Sequence, residues 1–234
     1  MIPKIIHYCW FGGNPLPESA KKCIASWRKF LPDYEIKEWN ETNFDVKKSK
    51  YTNEAYRLKK YAFVSDYARL CALYNEGGIY FDTDIDVKKS LTPLLNNKSF
   101  IGWEADYIGT GVMAAEPHQK WIKDVLDTYT GHGFILWSGK LNNEPNPYRV
   151  TRILKRYGLV MDKKYALLKD DIVVYPFEYL CAHYEDRTKY LITDNTYCVH
   201  QYEGSWTDKN VSVIDKILKR YTNLKVKLGI EILK

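Results

Sequence analysis

The stretch Gly77-Gly78-Ile79-Tyr80-Phe81-Asp82-Thr83-Asp84-Ile85-Asp86 decides the fold class of this chain. The two glycines end a helical pattern, and the apolar run at 79–81 predicts a short buried strand. A fully apolar strand that follows a helix is typical of an α/β sheet. Alternate side chains of an extended segment share one face, so we expect Asp82, Asp84 and Asp86 to converge beyond the strand.

Clustered carboxylates at the end of a buried strand need a compensating cation, because burying an unpaired carboxylate is costly. Oxygen ligands of this kind suit Mg²⁺ or Mn²⁺, and these ions also bind substrate phosphates. The pattern therefore predicts a divalent metal site. A solvated acidic turn is the structural alternative for an isolated D-x-D.

Outward from this stretch, the N-terminal third reads as strand, helix and strand, which predicts a parallel pair with a crossover helix. The predicted strands are 4–10, 34–39, 79–81, 100–103, 172–175 and 196–200, and the predicted helices are 17–30, 62–76, 117–129 and 150–157. Residues 40–60 are predicted to be irregular, 109–111 to form a glycine-rich turn, and 131–150 to form a long loop.

The composition indicates one folded domain over residues 1–234. The chain is 45% hydrophobic and 27% charged, which excludes a disordered protein. The net charge of +6 is mild and acids and bases interleave, so no nucleic-acid partner is expected. The five scattered cysteines contain no C-x-x-C, and the N-terminus has no signal-peptide pattern, so a cytoplasmic protein with reduced thiols is the expectation.

Asp66 and Arg69 lie one turn apart on the predicted helix 62–76, among apolar neighbours. An exposed intrahelical salt bridge is the simpler interpretation of the pair. The functional interpretation is that the aspartate binds sugar hydroxyls and the arginine binds phosphate or sugar oxygens.

Three motifs in order resemble one family: Ile5-Ile6-His7-Tyr8-Cys9-Trp10-Phe11-Gly12, Ser65-Asp66-Tyr67-Ala68-Arg69 and Gly77-Gly78-Ile79-Tyr80-Phe81-Asp82-Thr83-Asp84. Together they resemble the DXD-containing sugar transferases of glycosyltransferase family 32. A further match follows at His200 and Gly204-Ser205-Trp206. The resemblance implies a GT-A type α/β nucleotide-binding domain with a single mixed sheet flanked by helices. It also implies a metal-dependent retaining glycosyltransferase.

The resemblance places individual residues in roles. Trp10 falls where the family stacks its nucleobase, and Asp66 and Arg69 where it holds the ribose and the donor sugar. Asp82 and Asp84 fall on the two DXD acids, whereas Asp86 is left outside the ligand set. A buried core position is the structural alternative for Trp10.

At the C-terminal end of the chain, the resemblance implies that His200 completes the metal shell. It also implies that Ser205 and Trp206 contact the diphosphate. The other four histidines have no such context and are predicted to be structural: His7, His118, His132 and His183.

The expected cofactors are Mn²⁺ or Mg²⁺ and a nucleotide-sugar, with a UDP-sugar as the expected donor and a guanosine nucleotide as the alternative. The expected partner is a saccharide or lipid-linked acceptor in surface polysaccharide synthesis. The sequence departs from the family at 108–112, where many relatives carry an asparagine near the reacting sugar. Glu104 and Asp106 are nearby acids that could bind sugar hydroxyls or the acceptor, or lie on the surface.

Two other function classes stay open. Asp82-Thr83-Asp84 with Lys169-Asp170-Asp171 resembles the haloacid-dehalogenase-like phosphatases, although the first acid comes late in the chain. A non-catalytic sugar-binding module is the third class. The tail from about residue 211 is predicted to be a basic amphipathic helix, either docked on the domain or in peripheral contact with anionic lipid at the inner face of a membrane.

Overall fold

The computed structural model describes residues 1–184 and 189–204. Its N-terminal elements are β1 (Ile5–Cys9), α1 (Glu18–Phe30), β2 (Glu35–Trp39), α2 (Lys50–Arg57), α3 (Tyr61–Glu76), β3 (Gly78–Phe81) and β4 (Ile85–Val87). Five of these seven elements, β1, α1, β2, α3 and β3, lie within about two residues of the predicted ones, whereas α2 and β4 were not predicted. Gly77 ends α3 with a φ of 67°, a conformation that glycine adopts without steric cost.

The remaining elements of the described residues are five strands and three helices. They are β5 (Ser99–Glu104), β6 (Tyr107–Ala115), α4 (Lys120–Asp127), α5 (Asn146–Arg156), β7 (Ala166–Leu168), β8 (Ile172–Tyr175), α6 (Phe177–Leu180) and β9 (Cys198–His200). Short 3₁₀ turns lie at Thr92–Asn96 and Lys169–Asp171.

Seven strands form a mixed sheet in the order β2-β1-β3-β6-β5-β8-β7. β1 is parallel to both β2 and β3, β5 is parallel to β8, and β6 runs antiparallel to β3 and β5. Apolar side chains are buried in two clusters, one containing Trp103 and Trp121 and the other containing Trp27 and Phe81. The predicted α/β fold with a mixed sheet flanked by helices is confirmed.

A second, two-stranded sheet pairs β4 with β9 and was not predicted. Its antiparallel register places Ile85 opposite His200, so residues far apart in the sequence become neighbours. The indole Nε1 of the fully buried Trp27 on α1 donates to the carbonyl of Ile85 at 2.7 Å. Helix α1 thus holds the β4–β9 ribbon in place.

The predicted turn at Gly109–Gly111 is wrong, because these residues lie within β6. The turn of the β5–β6 hairpin is instead at Ala105 and Asp106, since Glu104 pairs with Tyr107. Ile101 pairs with Met113 but Gly102 pairs with Gly109, so residues 110–112 bulge out of register with β5. The glycines therefore mark a bulge within a strand rather than a turn between strands.

Two irregular segments were also predicted wrongly. Residues 40–60 contain α2, whose N-cap Ser49 accepts a hydrogen bond from the Thr52 amide at 3.0 Å. Its many polar residues obscure the helical period. The predicted loop 131–150 ends at α5, which begins at Asn146, four residues before the predicted helix.

Residues 1–203 form one compact unit of the chain. The predicted basic helix from about residue 211 lies outside the described residues, so the single-domain organisation over 1–234 remains a prediction. All five cysteines are buried free thiols. In the part of the chain that the structure describes, no helix has the length and apolar character needed to span a bilayer.

Replacing Trp27 with phenylalanine should destabilise the protein by about 1–3 kcal/mol, because the buried carbonyl of Ile85 loses its donor. Denaturant unfolding measures this change. Trp137 is fully exposed, so Trp137→Phe is the matched control and should stay within about 0.5 kcal/mol of the parent. Equal stability of the Trp27→Phe variant and the parent would contradict this role of the indole.

Candidate active site

The candidate site lies at the carboxyl ends of β1 and β3. Trp10 directly follows β1, and Asp82 directly follows β3. In α/β sheets, the carboxyl ends of parallel strands form the crevice in which ligands bind. This edge of the sheet therefore brings together two residues that were singled out from the sequence.

Asp82 and Asp84 converge through a tight turn and not through an extended chain. The carbonyl of Asp82 accepts a hydrogen bond from the Ile85 amide at 3.0 Å, which closes the turn before β4 begins. The expectation that Asp86 shares their face is wrong, because the turn breaks the alternation. Asp86 instead pairs with Lys88 at 2.7 Å.

The β4–β9 ribbon brings His200 to the two aspartates. His200 Nε2 lies 3.3 Å from Oδ1 of Asp84, and the other carboxylate oxygen of Asp84 accepts from the Glu203 amide at 3.1 Å. One potential ligand atom from each of Asp82, Asp84 and His200 lies within 4.8 Å of the others. This spacing and this mixture of carboxylate and imidazole donors fit a divalent metal ion.

The charge balance also fits a cation. Burial raises the pKa of Asp82, although the guanidinium of Arg69 opposes the shift. Burial lowers the pKa of His200, but the hydrogen bonds that its ring donates, led by the one to Asp84, outweigh burial and raise the pKa well above its usual value. Four carboxylates, those of Asp66, Asp82, Asp84 and Glu104, face one permanently cationic side chain, that of Arg69, because His200 must be neutral to bind a metal.

Arg69 lies at the base of the site and is only 5% exposed. Its Nη2 is 3.0 Å from Asp66 Oδ1, and its Nη1 is 3.2 Å from Asp82 Oδ1. Nη1 also donates to the carbonyl of Thr110 at 2.9 Å, Nε donates to that of Ser65, and the guanidinium packs over the ring of Tyr80. The simple interpretation of an exposed intrahelical pair is wrong, because this pair is buried and extends to Asp82.

Arg69 thus bridges the carboxylates of Asp66 and Asp82. Each guanidinium nitrogen already has a protein partner, and Asp66 uses its second oxygen to accept from the Asn146 amide at 3.3 Å. Burial raises the pKa of Asp66 to about 6, with Arg69 opposing the shift. The structure therefore shows Arg69 joined to both carboxylates from the buried side, and the donor contact that the resemblance implies for Asp66 and Arg69 stays a prediction.

The β6 bulge supplies backbone acceptors to the same network. The carbonyl of Thr110 binds Arg69, and the carbonyl of Gly111 accepts from the Asp82 amide at 2.9 Å. A Cβ on Gly111 would lie 3.3 Å from Asp82 Oδ2 and 3.5 Å from His200 Cε1. Glycine at this position therefore leaves space beside the candidate ligands.

Glu104 lies against the opposite side of His200. Its Oε1 is 3.5 Å from Nδ1 of His200, while Nε2 faces Asp84. Tyr202 stacks on the His200 ring at a centroid distance of 4.1 Å, a contact that was missed although this tyrosine follows His200 by only two residues. Asp106, in contrast, is exposed at the hairpin turn and pairs with Lys163.

Trp10 is partly buried, packs against the cluster that contains Trp27, and donates through Nε1 to the carbonyl of Asn14 at 2.6 Å. Trp10 is therefore neither a fully buried core residue nor a fully exposed one, so its burial does not distinguish nucleobase stacking from core packing. Ser205 and Trp206 lie outside the described residues. His7 is buried and bonded to the carbonyl of Gly77 at 2.7 Å, as a structural histidine would be.

The phosphatase alternative requires an acidic pair near Asp82. Lys169–Asp171 precede β8 at the end where Ile172 pairs with Ser99. Glu104 and His200 lie at the other end of β5, so this segment lies at the edge of the sheet opposite the site. Asp171 pairs there with Lys98 at 2.7 Å. The arrangement does not support a dehalogenase-like phosphatase.

Comparison with known proteins confirms the resemblance stated from the motifs. Residues 17–101 match the family described as the glycosyltransferase sugar-binding region containing the DXD motif. Inositol phosphoceramide mannosyltransferase 1 of Schizosaccharomyces pombe is 34% identical over 119 residues, which cover 46% of this chain and 36% of that protein. Inositol phosphoceramide mannosyltransferase 3 of the same yeast is 31% identical over 108 residues, or 43% of this chain and 29% of that protein.

A solved structure shares the fold. The PaToxG glycosyltransferase superposes with a TM-score of 0.52 at 20% identity, covering 66% of this chain and 68% of that one. Residues 17–101 are thus similar to a DXD-type glycosyltransferase region, and the chain has a GT-A type fold. The matched segment spans only about a third of the two yeast relatives.

Replacing Arg69 with methionine should destabilise the protein by about 3–5 kcal/mol, because two buried carboxylates lose their shared cation. Adding Asp66→Asn to this variant should recover part of the loss, since one of those charges is removed. Denaturant unfolding of the two single variants and the double variant gives the coupling energy. If the stability losses of the two single variants simply add in the double variant, Arg69 and Asp66 are not coupled, which would contradict the buried network.

Proposed function

We propose that this chain is a metal-dependent retaining glycosyltransferase that moves a sugar from a nucleotide-sugar, with a UDP-sugar as donor, to a saccharide or lipid-linked acceptor. The observation that carries the proposal is the convergence of Asp82, Asp84 and His200 at the carboxyl end of β3. The match of residues 17–101 to the DXD-containing region supports the same reaction class.

In this proposal, Asp82, Asp84 and His200 hold Mn²⁺ or Mg²⁺. The bound ion would stabilise, as a Lewis acid, the charge that develops on the leaving diphosphate. Arg69 fixes Asp82 from the buried side, and the Glu203 amide fixes one oxygen of Asp84. Because both carboxylates are held before a substrate binds, little reorganisation is needed when charge develops.

Trp10 is proposed to stack on the nucleobase, supported by its partial exposure directly after β1. Stacking on an aromatic face is worth roughly 1–3 kcal/mol per base. Ser205 and Trp206 are proposed to donate to the diphosphate, on the resemblance alone.

Retention of configuration needs either a carboxylate nucleophile beneath the sugar or a front-face reaction. Asp66 is held by Arg69 and Asn146, and Glu104 lies against His200. Among the described residues around the metal set, these carboxylates already have partners. A front-face reaction fits better, since the departing phosphate can accept the acceptor's proton and no separate base is required.

The acceptor and the location belong to the same proposal. The names of the yeast relatives indicate that they glycosylate a ceramide lipid, which supports a lipid-linked acceptor here. Free thiols at all five cysteines support a cytoplasmic location, because reduced cysteines are typical of that compartment. Peripheral contact with the inner face of a membrane and a role in surface polysaccharide synthesis complete the proposal.

The test is a panel of nucleotide-sugars incubated with the protein and Mn²⁺, scored for slow release of the nucleoside diphosphate. We expect release from one UDP-sugar, among UDP-glucose, UDP-galactose and UDP-N-acetylglucosamine, and none when the metal is chelated. Saccharide binding without any release would instead support the non-catalytic sugar-binding module.

Replacing Asp84 with alanine should weaken the Mn²⁺-dependent binding of UDP more than about 100-fold. Loss of a residue that only hydrogen-bonds a metal ligand costs roughly 10–100-fold, and Asp84 is proposed to be a ligand itself. Asp86→Ala is the matched control, because Asp86 lies two residues away but pairs with Lys88. Calorimetric titration with UDP in the presence of Mn²⁺ measures both. Normal UDP affinity in the Asp84→Ala variant would remove this residue from the metal site.

Glu104→Ala should weaken Mn²⁺ binding by about 10–100-fold, because His200 loses the carboxylate that orients its Nδ1 side. Glu104→Gln keeps an acceptor oxygen and should restore part of the affinity. Asp106→Ala, at the neighbouring hairpin turn, should have no effect. Electron paramagnetic resonance of free Mn²⁺ reports the affinity directly. An unchanged Mn²⁺ affinity in Glu104→Ala would refute this positioning function.

A further inference from the structure

A groove beside the metal set has no function in the mechanism described so far. It lies between the β5–β6 hairpin and α5, and its volume of about 650 Å³ falls within the roughly 300–1,000 Å³ range of ligand pockets. Its lining comprises Asp106, Tyr107, Tyr148, Thr151, Arg152 and Lys155, with Ala105 and Met161 completing it.

The groove begins next to the candidate active site. Glu104, which contacts His200, directly precedes the lining residue Ala105 and pairs across the hairpin with Tyr107. The Ile108 amide donates to Thr151 Oγ1 at 2.9 Å, which fixes α5 against the hairpin. The same short hairpin therefore borders both the metal set and the groove.

Two tyrosines form an aromatic wall in this groove. The rings of Tyr107 and Tyr148 lie 5.4 Å apart between centroids, at 48° to each other. Tyr148 is 54% exposed, whereas Val150, Ile153 and Leu154 of the same helix are buried. Such rings offer an apolar face to the C–H groups of a sugar and a hydroxyl to its oxygens.

Basic side chains line the groove along α5. Arg152 Nη2 binds Glu144 at 3.2 Å, so its guanidinium is held in place. Lys155 is exposed and takes part in no ion pair within residues 1–184 and 189–204. An aromatic wall next to an unpaired ammonium group suits a saccharide that carries a phosphate or a carboxylate.

We propose that this groove is the acceptor subsite and that it binds an anionic saccharide. The inference rests on the proposed function, because an acceptor is meaningful only if sugar is transferred. Tyr107 and Tyr148 stack on a sugar of the acceptor, and Lys155 binds its negative charge. The hairpin then directs the acceptor's hydroxyl towards Glu104 and the metal set.

Three probes test the subsite by saturation-transfer NMR and by titration: pentamannose phosphate, a hyaluronan tetrasaccharide and neutral maltotetraose. The two anionic probes distinguish phosphate from carboxylate. We expect Tyr148→Ala to weaken the binding of the anionic probe with the higher affinity about tenfold, equivalent to about 1.4 kcal/mol. Tyr165→Ala is the control, because Tyr165 is a 57% exposed tyrosine outside the groove.

Lys155→Gln should weaken only the anionic probes, by about twofold to fivefold, because an exposed charge pair contributes little. Its neighbour Arg156, which does not line the groove, provides the control Arg156→Gln. Unchanged binding in the Tyr148→Ala and Lys155→Gln variants, or equal losses in their controls, would overturn the subsite. So would the absence of binding by either anionic probe to the parent protein.

Release of nucleoside diphosphate without acceptor separates this inference from the proposed function. Tyr148→Ala and Lys155→Gln should leave that release unchanged, because neither residue touches the metal set. Absence of release in the parent protein would refute the transferase while probe binding still tests the groove. Loss of release in Tyr148→Ala with the fold intact would refute a purely acceptor-binding function.

Discussion

The guanidinium of Arg69 lies between the carboxylates of Asp66 and Asp82, and the active-site edge of the sheet is built around this buried arrangement. A charge at 5% exposure is tolerated only when its hydrogen bonds are satisfied. The carbonyls of Ser65 and Thr110 satisfy the remaining ones. Helix α3, strand β3 and the β6 bulge are therefore fixed relative to one another by one side chain.

The arrangement also explains why a metal fits there. Arg69 compensates part of the charge of Asp66 and Asp82, so the pair still carries excess negative charge when both are ionised. That excess is presented at the turn after β3, where Asp84 adds another carboxylate and the β4–β9 ribbon adds His200. A divalent cation at this point would complete the balance, whereas a fully compensated cluster would bind it weakly.

Strong local signals made much of the fold predictable. Strand β3 was predicted correctly from its apolar run and from the glycine at its start. A strand that is buried on both faces has a continuous hydrophobic pattern, which is easy to recognise in the sequence. Prediction failed where local and tertiary preferences differ. Helix α2 carries mostly polar residues and buries only Tyr51, Thr52 and Ala55, and the glycines of β6 serve a bulge that depends on two neighbouring strands.

The sequence alone determined the α/β class and singled out the two aspartates and His200 as candidate ligands, because these follow from hydrophobic patterning and from ordered motifs. Only the tertiary structure decided that Asp86 turns away, that Arg69 joins Asp66 to Asp82, and that Glu104 contacts His200. The physical reason is distance along the chain. Contacts such as Ile85 with His200 or Thr110 with Arg69 join segments that are far apart in the chain. No local sequence pattern predicts such contacts, because only the packing of the folded chain brings the segments together.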